Sequence, residues 1–310
     1  MSAAILSSIL PVCLLMLLGA ALRHFRFLPD EFFSHLNRLG FWLLLPTLLF
    51  CTILQAPVAA GGDGLKIGVI LCACSVAVTA VAWGVARLMR LPDASARSLM
   101  QASMRGNLAY TALPVVLYAF GENSRAAAVA AFALAPAIPF YNFWAVLILT
   151  YRRDGTAASA SKRQLLGVLR NPLILGCILG LVILKSGMRL PEGLFNALKT
   201  LGQAALPCAL LALGAGLTPD RMRASLRPAL AGTALKLFAM PAIGYVLARA
   251  AGLDGGRLLI TLLFLASPCA VTSYVMADQM GADKELAGSA IAASTLLCMP
   301  VMAALLLIFG

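Results

Sequence analysis

The sequence predicts an all-α polytopic membrane protein of ten transmembrane helices, arranged as two five-helix repeats of opposite orientation. Three observations predict it. Apolar runs recur along the whole chain: of 310 residues, 61% are hydrophobic and 12% charged, where soluble domains carry about 25% charged residues. The Lys and Arg residues gather at the ends of those runs, and the first half of the chain returns in the second with prolines, glycines and phenylalanines in register.

The runs lie at about 3–22, 36–55, 67–87, 98–120, 126–150, 170–186, 195–217, 227–250, 257–278 and 286–308, stretches of the length that crosses a bilayer. The sixth is the shortest and needs residues 165–169 to span a hydrocarbon core about 30 Å thick. The first run has no basic residue before it, and Arg23 and Arg26 follow it. That order predicts an uncleaved first helix and not a signal peptide. The eight cysteines all fall inside apolar runs without a C-x-x-C pair. They read as small buried hydrophobes, and no metal or cofactor is expected.

A net charge of +12 in a soluble protein would suggest nucleic acid. Here the basic residues flank apolar runs, the pattern that sets membrane topology, so the partner is the lipid bilayer and nucleic acid is excluded. The loops after odd-numbered segments hold fifteen of the 24 Lys and Arg, and those after even-numbered segments hold seven. The odd loops are therefore expected in the cytoplasm and both termini outside. Arg105 and Lys236 fall within segments.

The repeat is read from paired positions. Leu28-Pro29, Phe33, Leu36 and Leu39-Gly40 return as Leu190-Pro191, Phe195, Leu198 and Leu201-Gly202. Pro11, Gly19, Pro46, Gly121 and Pro139 answer to Pro172, Gly180, Pro207, Gly281 and Pro300. The organisation expected is a first repeat over 1–150, a cytoplasmic linker over 151–171, and a second repeat over 172–310. Five is odd, so the second copy crosses in the opposite sense. Inverted repeats are characteristic of secondary transporters, whose substrates bind near the midplane on discontinuous helices.

Arg105-Gly106-Asn107-Leu108-Ala109-Tyr110-Thr111-Ala112-Leu113-Pro114 lies inside the fourth run. Buried polar groups without partners cost about 1–3 kcal/mol each, and a proline removes a helical hydrogen bond. Broken backbone at membrane depth is tolerated where it packs in protein or lines a cavity, so the stretch is a kinked structural helix or a binding site. An offset of 160 from Asn107 leads to Ala266-Ser267-Pro268-Cys269-Ala270-Val271-Thr272-Ser273-Tyr274, a second proline-bearing, hydroxyl-rich stretch inside an apolar run.

At these residues the chain resembles the auxin efflux carrier family, over essentially its whole length. The resemblance rests on Gly106-Asn107-x-x-Tyr110-x-x-Leu113-Pro114, Tyr141-Asn142, Asn171-Pro172, Leu206-Pro207-x-x-Leu210-x-x-x-Gly214, and Pro268 with Tyr274-Val275-x-Ala277 and Gly281. It implies a fold like that of sodium/proton antiporters and bile-acid transporters, with helices 4 and 9 broken and crossing at midplane. It further implies a scaffold of helices 1, 2, 6 and 7, a mobile transport domain of helices 3–5 and 8–10, and a small organic anion as substrate, malonate or malate in bacterial members. Asn107 and Pro114 match that family's helix 4 crossover, and Pro268 its helix 9 crossover. The short central loop resembles the compact bacterial branch, which places the protein in the inner membrane. A homodimer is an expectation of the fold class.

The candidate site residues follow. Half-helix N-termini offer unpaired N–H groups to an anion. Asn107 has donors and an acceptor for a carboxylate or for freed backbone, and both roles stand. Tyr110 and Ser267 belong to the same two stretches. Thr111, Thr272 and Ser273 either face the ligand or bond their own helices. Arg105 is either an interface arginine or a carboxylate clamp. Lys236, in mid-segment without an acidic residue a turn away, should face a cavity or pair across helices. Tyr141 and Asn142 line the cavity or brace the fourth helix. Asp278, near the end of the ninth run, is the only acidic residue inside any run. A proton or sodium antiporter would need midplane carboxylates, so cation antiport is not expected. Sodium held by carbonyls and hydroxyls, as in a cation-coupled symporter, stays open.

An anion carrier working by alternating access is the expected function. A membrane sensor that binds the anion without moving it is the alternative of another class, and no stretch here reads as a signalling domain. An enzyme would need a nucleophile–base pair or metal ligands, and neither His24 nor His35 has such a partner in sequence.

Overall fold

A computed structural model describes residues 2–55, 61–121, 124–151, 170–188, 190–216 and 219–310. Among them the chain is helical, and the one pairing of extended backbone is an isolated antiparallel bridge between Gly106 and Cys269. Most of the expected linker, and residues 165–169 with it, lies outside the described residues.

The helices follow the apolar runs. They are α1 (Ser2–His24), α2 (Asp30–Leu39) continuing through a π turn into α3 (Leu45–Leu54), and α4 (Gly61–Leu88). Next come α5 (Asp93–Met104), α6 (Leu113–Phe120), α7 (Arg125–Thr150) and α8 (Pro172–Ser186). The second half has α9 (Glu192–Gln203), α10 (Ala205–Gly216), α11 (Pro219–Ala234) and α12 (Met240–Ala250). It ends with α13 (Gly255–Leu265), α14 (Thr272–Gln279) and α15 (Lys284–Phe309). Among the described residues, 6 helical runs are long and apolar enough to cross a membrane, and shorter apolar helices include Pro172–Ser186 and Gly255–Leu265. Leu14, Leu17 and Leu18 of α1 and Leu175, Leu179 and Val182 of α8 are exposed. Apolar surface of that extent on a soluble monomer would be a liability, and in a bilayer it meets lipid.

Three prolines share one local signature. Pro46, Pro114 and Pro241 each stand two residues after a π turn, over Gly40–Leu44, Leu108–Ala112 and Leu235–Ala239. A proline ring clashes with the carbonyl four residues back and has no N–H to offer it. Widening the preceding turn moves that carbonyl aside, and Leu113 N–H, for example, closes on Leu108 O instead. Pro114 therefore bends the start of a half-helix without interrupting the chain. The interruption lies upstream at Arg105–Asn107, where the backbone turns extended (Arg105 φ −95°, ψ 104°). This places Pro114 outside the crossover to which the family pattern assigns it.

Packing sorts the helices. α1 lies along α10, and α3 is flanked by α8 and α9. α4 packs on α7, α11 on α15, and α5 joins α4, α11 and α15. Gly121 and Gly281, positions paired across the two halves, both take positive φ (85° and 65°) after the half-helices α6 and α14, a backbone state that favours glycine.

Candidate functional site

The two interrupted stretches cross as short antiparallel segments. Asn107 N–H donates to Pro268 O at 2.8 Å, and Ala270 N–H donates to Arg105 O at 2.9 Å. Each break thus satisfies backbone groups that the other has freed, which is what backbone at membrane depth requires. Proline suits its place, because Pro268 contributes only a carbonyl there. Gly106 is demanded by the approach: a Cβ would sit 2.3 Å from Ser267 Oγ and 3.2 Å from Lys236 Cε. Ser294 Oγ accepts from Cys269 N–H at 2.9 Å, and Ser267 Oγ donates to Phe264 O at 2.7 Å.

Beside the crossing is a cavity of about 110 Å³. One wall is the crossing itself with Ile138, Tyr141 and Asn142 of α7; the other is Leu45, Leu48, Leu49 and Thr52 of α3 with Leu206 of α10. Six of the candidate residues line it: Arg105, Asn107, Tyr110, Tyr141, Asn142 and Thr272.

Arg105 is buried at 6% exposure. Its Nη2 donates to Asn142 Oδ1 at 2.6 Å, its Nη1 to Met276 Sδ, and no carboxylate pairs with it among the described residues. An arginine at this depth is not snorkelling to an interface. Asn142 Nδ2 is itself bonded to Ile138 O at 2.8 Å, so Asn142 holds the guanidinium in place. The Asn107 side chain is buried, 7% exposed, lines the cavity, and makes no hydrogen bond among the described residues.

The backbone adds donors. Asn107 O accepts from Thr111 N–H and Ala112 N–H at 3.2 and 3.3 Å. That leaves the N–H groups of Leu108, Ala109 and Tyr110 without an intrahelical acceptor, as at any helix start. In the second stretch Ser273 N–H and Tyr274 N–H bond Ala270 O and Val271 O at 2.9 and 3.1 Å, and the N–H groups of Val271 and Thr272 are likewise unpaired among the described residues. All five of these residues line the cavity. Two half-helix N-termini, each with a partial positive charge, therefore meet Arg105 and Asn107 in one space.

The other candidates stand apart. Thr111 is buried and Pro114 half-buried on the half-helix beyond the break. Ser267 and Pro268 build the crossing. The Ser273 hydroxyl is buried and has no hydrogen-bond partner among the described residues. Lys236 is fully buried on the far side of Gly106 and donates to Leu265 O. Tyr141, which does line the cavity, braces the third apolar run and not the fourth, its hydroxyl 3.4 Å from Leu71 O of α4. The leucines of α3 escaped sequence reasoning, since an apolar side chain in an apolar helix reads the same whether it meets lipid or ligand. Leu206 alone carried a signal, its place in the Leu206-Pro207 motif.

Of two further cavities, one adjoins the first and the other lies apart from it. One of about 300 Å³ shares Thr52, Ala109 and Ile138 with it and runs to Gln55, Ala131 and Leu184. The other, of about 200 Å³, lies where Arg23, Asp30, Ser34 and Asn37 meet Asp278 and Lys284. There Asp278 accepts from Lys284 Nζ at 2.6 Å and from Asn37 Nδ2 at 3.2 Å. Asp278 is thus tied to a cation and an amide, away from the crossing cavity, whose lining it does not join.

Comparison with known proteins agrees with this architecture. The profile of the membrane transport protein family matches residues 4–306. An uncharacterized transporter of Methanocaldococcus jannaschii is 24% identical over 300 residues, 95% of this chain and 96% of that protein. A provisionally named malonate transporter of Rhizobium meliloti is 27% identical over 293 residues, 90% of this chain and 87% of that protein. Among solved structures, the sodium proton antiporter MjNhaP1 from Methanocaldococcus jannaschii at pH 8 superposes with a TM-score of 0.63 at 14% identity, covering 96% of this chain and 92% of its own. At that identity the likeness is one of fold alone. Matched from residue 4 to residue 306, the chain belongs to the membrane transport protein family, the auxin efflux carriers, and is a multi-pass membrane protein.

Proposed function

We propose that the protein is a secondary carrier that moves a small organic anion, a mono- or dicarboxylate such as malonate or malate, by alternating access. The observation that carries this reading is Arg105: a buried cation with no carboxylate partner among the described residues, lining the same cavity as Asn107 and the free N–H groups of two half-helices. Donors and a cation so gathered suit an anionic ligand. The relative named as a malonate transporter supports the substrate class.

The reading includes ten membrane passes in two inverted repeats, 1–150 and 172–310, joined by the linker 151–171. α1, α2–α3, α8 and α9–α10 form the scaffold, and the remaining helices form the moving unit. The cavity then lies on the boundary between the two, where a sliding motion would carry a bound anion across. Loop charges put both termini outside an inner membrane. A C-terminal cysteine labelled only from the cytoplasmic side would reverse that orientation. An inside-negative potential drives anions outward by about 2.3 kcal/mol per charge per 100 mV, so uncoupled transport is efflux.

The test is flux of radiolabelled malonate and malate in proteoliposomes under imposed potential, sodium and pH gradients. Asn107→Ala should abolish flux while the protein still inserts and purifies as a folded species. Wild-type flux in that variant would remove Asn107 from the site, and flux of neither carboxylate by the wild type would remove the substrate class.

A further inference from the structure

We propose that Lys236 is a tethered cation standing where a carrier of this architecture would hold a coupling ion, so that transport needs no sodium. The inference rests on the carrier reading above and adds the identity of the positive charge at the second half-helix.

Lys236 is fully buried, 0% exposed, and among the largest such side chains described. No carboxylate neutralises it among the described residues. A lone charge so deep in a membrane protein needs a counter-charge or a dipole. Its ammonium donates to the carbonyl of Leu265, the last residue of α13. A helix C-terminus carries about half a negative charge on its unpaired carbonyls. In inverted-repeat carriers, such half-helix C-termini and unwound carbonyls are where coupling cations are coordinated.

The neighbouring carbonyls leave sodium little to bind. Leu262 O accepts from Ala266 N–H at 2.8 Å, and Phe264 O from Ser267 N–H at 3.3 Å. Phe264 O also takes the Ser267 hydroxyl at 2.7 Å. With Leu265 O held by the lysine, three of the last four carbonyls of α13 are occupied by the chain itself. The approach is prepared by the π turn Leu235–Ala239 that contains Lys236, and by Gly106, whose missing side chain leaves room for the lysine stem.

The corresponding place in the first half has no such device. Stepping back 161 residues, the offset of the Pro139 and Pro300 pair, leads from Lys236 to Ser75. The Ser75 hydroxyl returns to Leu71 O at 2.8 Å on its own helix. At the end of α5, Ala102 O accepts instead from the Cys269 thiol at 3.0 Å. A cation held on a helix C-terminal carbonyl is thus built into the second half only, the Arg105 guanidinium of the first half bonding Asn142 instead.

The experiment compares sodium chloride with choline chloride at equal concentration on the purified full-length protein, by two readouts. In proteoliposomes, wild-type malonate flux should be equal in the two salts. Lys236→Ala should lose about ten-fold or more in choline, the scale of a buried acceptor left unpaired, and recover in sodium or methylammonium. Lys236→Arg should keep flux in choline. In detergent, the thermal midpoint of Lys236→Ala should rise with methylammonium chloride over choline chloride, while that of the wild type should not. The melting readout needs no substrate, so it stands even where malonate proves not to be carried. Sodium-dependent flux or melting of the wild type overturns the proposal, and this alone decides the matter if Lys236→Ala does not fold. Wild-type flux and melting of Lys236→Ala in choline overturn it equally.

Discussion

The two interrupted helices occupy matching places in the two halves of the chain, yet they use their polar residues in opposite ways. The first break directs them into the cavity: Arg105, Asn107 and Tyr110 all line it, and the Asn107 amide has no protein partner among the described residues. The second break turns them inward. Ser267 bonds Phe264 O, Cys269 N–H bonds Ser294, the Cys269 thiol bonds Ala102 O, and Lys236 caps Leu265. What the second break gives the cavity is backbone at Ala270 and Val271 and one hydroxyl, Thr272. Symmetry of position therefore does not carry symmetry of role. One break turns its polar side chains to the cavity, and the other uses them to hold the crossing together.

After the loss of flux expected of Asn107→Ala, the largest effect that would separate these roles is expected at Arg105. Arg105→Gln keeps a hydrogen-bonding side chain, shorter by two atoms, and removes the cation. Hydrogen bonds to charged groups contribute about 1.5–3 kcal/mol, so flux at subsaturating malonate should fall about ten- to hundred-fold, with thermal stability held or raised once a buried charge is gone. Unchanged flux would break the assignment of recognition to the first break. A fall in stability equal to that of a core deletion would make Arg105 a structural residue like those of the second.

Much of this division could be found in the sequence, for identifiable reasons. A polar, proline-bearing stretch inside an apolar run is conspicuous, so 105–114 and 266–274 stood out, and the offset of 160 led from one to the other. Those two stretches are the ones that meet. Three things were not legible. Pro114 suggested a break at its own position, whereas its ring widens a π turn and the chain opens eight residues earlier, at the glycine that allows backbone contact. The cavity's second wall, Leu45, Leu48 and Leu49, is apolar within an apolar helix and carries no pattern. Lys236 was visible as a charge, but its partner is a backbone carbonyl, which no side-chain spacing can reveal.

A smaller effect tests the structural half of the comparison. Ser294 lies on α15, outside the cavity lining, and its hydroxyl accepts from Cys269 N–H at 2.9 Å while donating to Ile291 O at 3.1 Å. Cys269 is 1% exposed, so no water competes for that N–H. Ser294→Ala removes the acceptor and leaves a buried donor unpaired at the crossing, a cost of about 1–3 kcal/mol. The thermal midpoint in detergent should drop by a few degrees, because a change of about 1 kcal/mol moves the midpoint of a chain this size by about 2–4 °C. Malonate flux of the folded fraction, and its half-saturation concentration, should stay at wild-type values, since neither Arg105 nor Asn107 has moved. A raised half-saturation concentration at unchanged stability would mean that the second break shapes recognition after all, through the position of Ala270 and Val271. In that case the two halves of the crossing would share one task instead of dividing it.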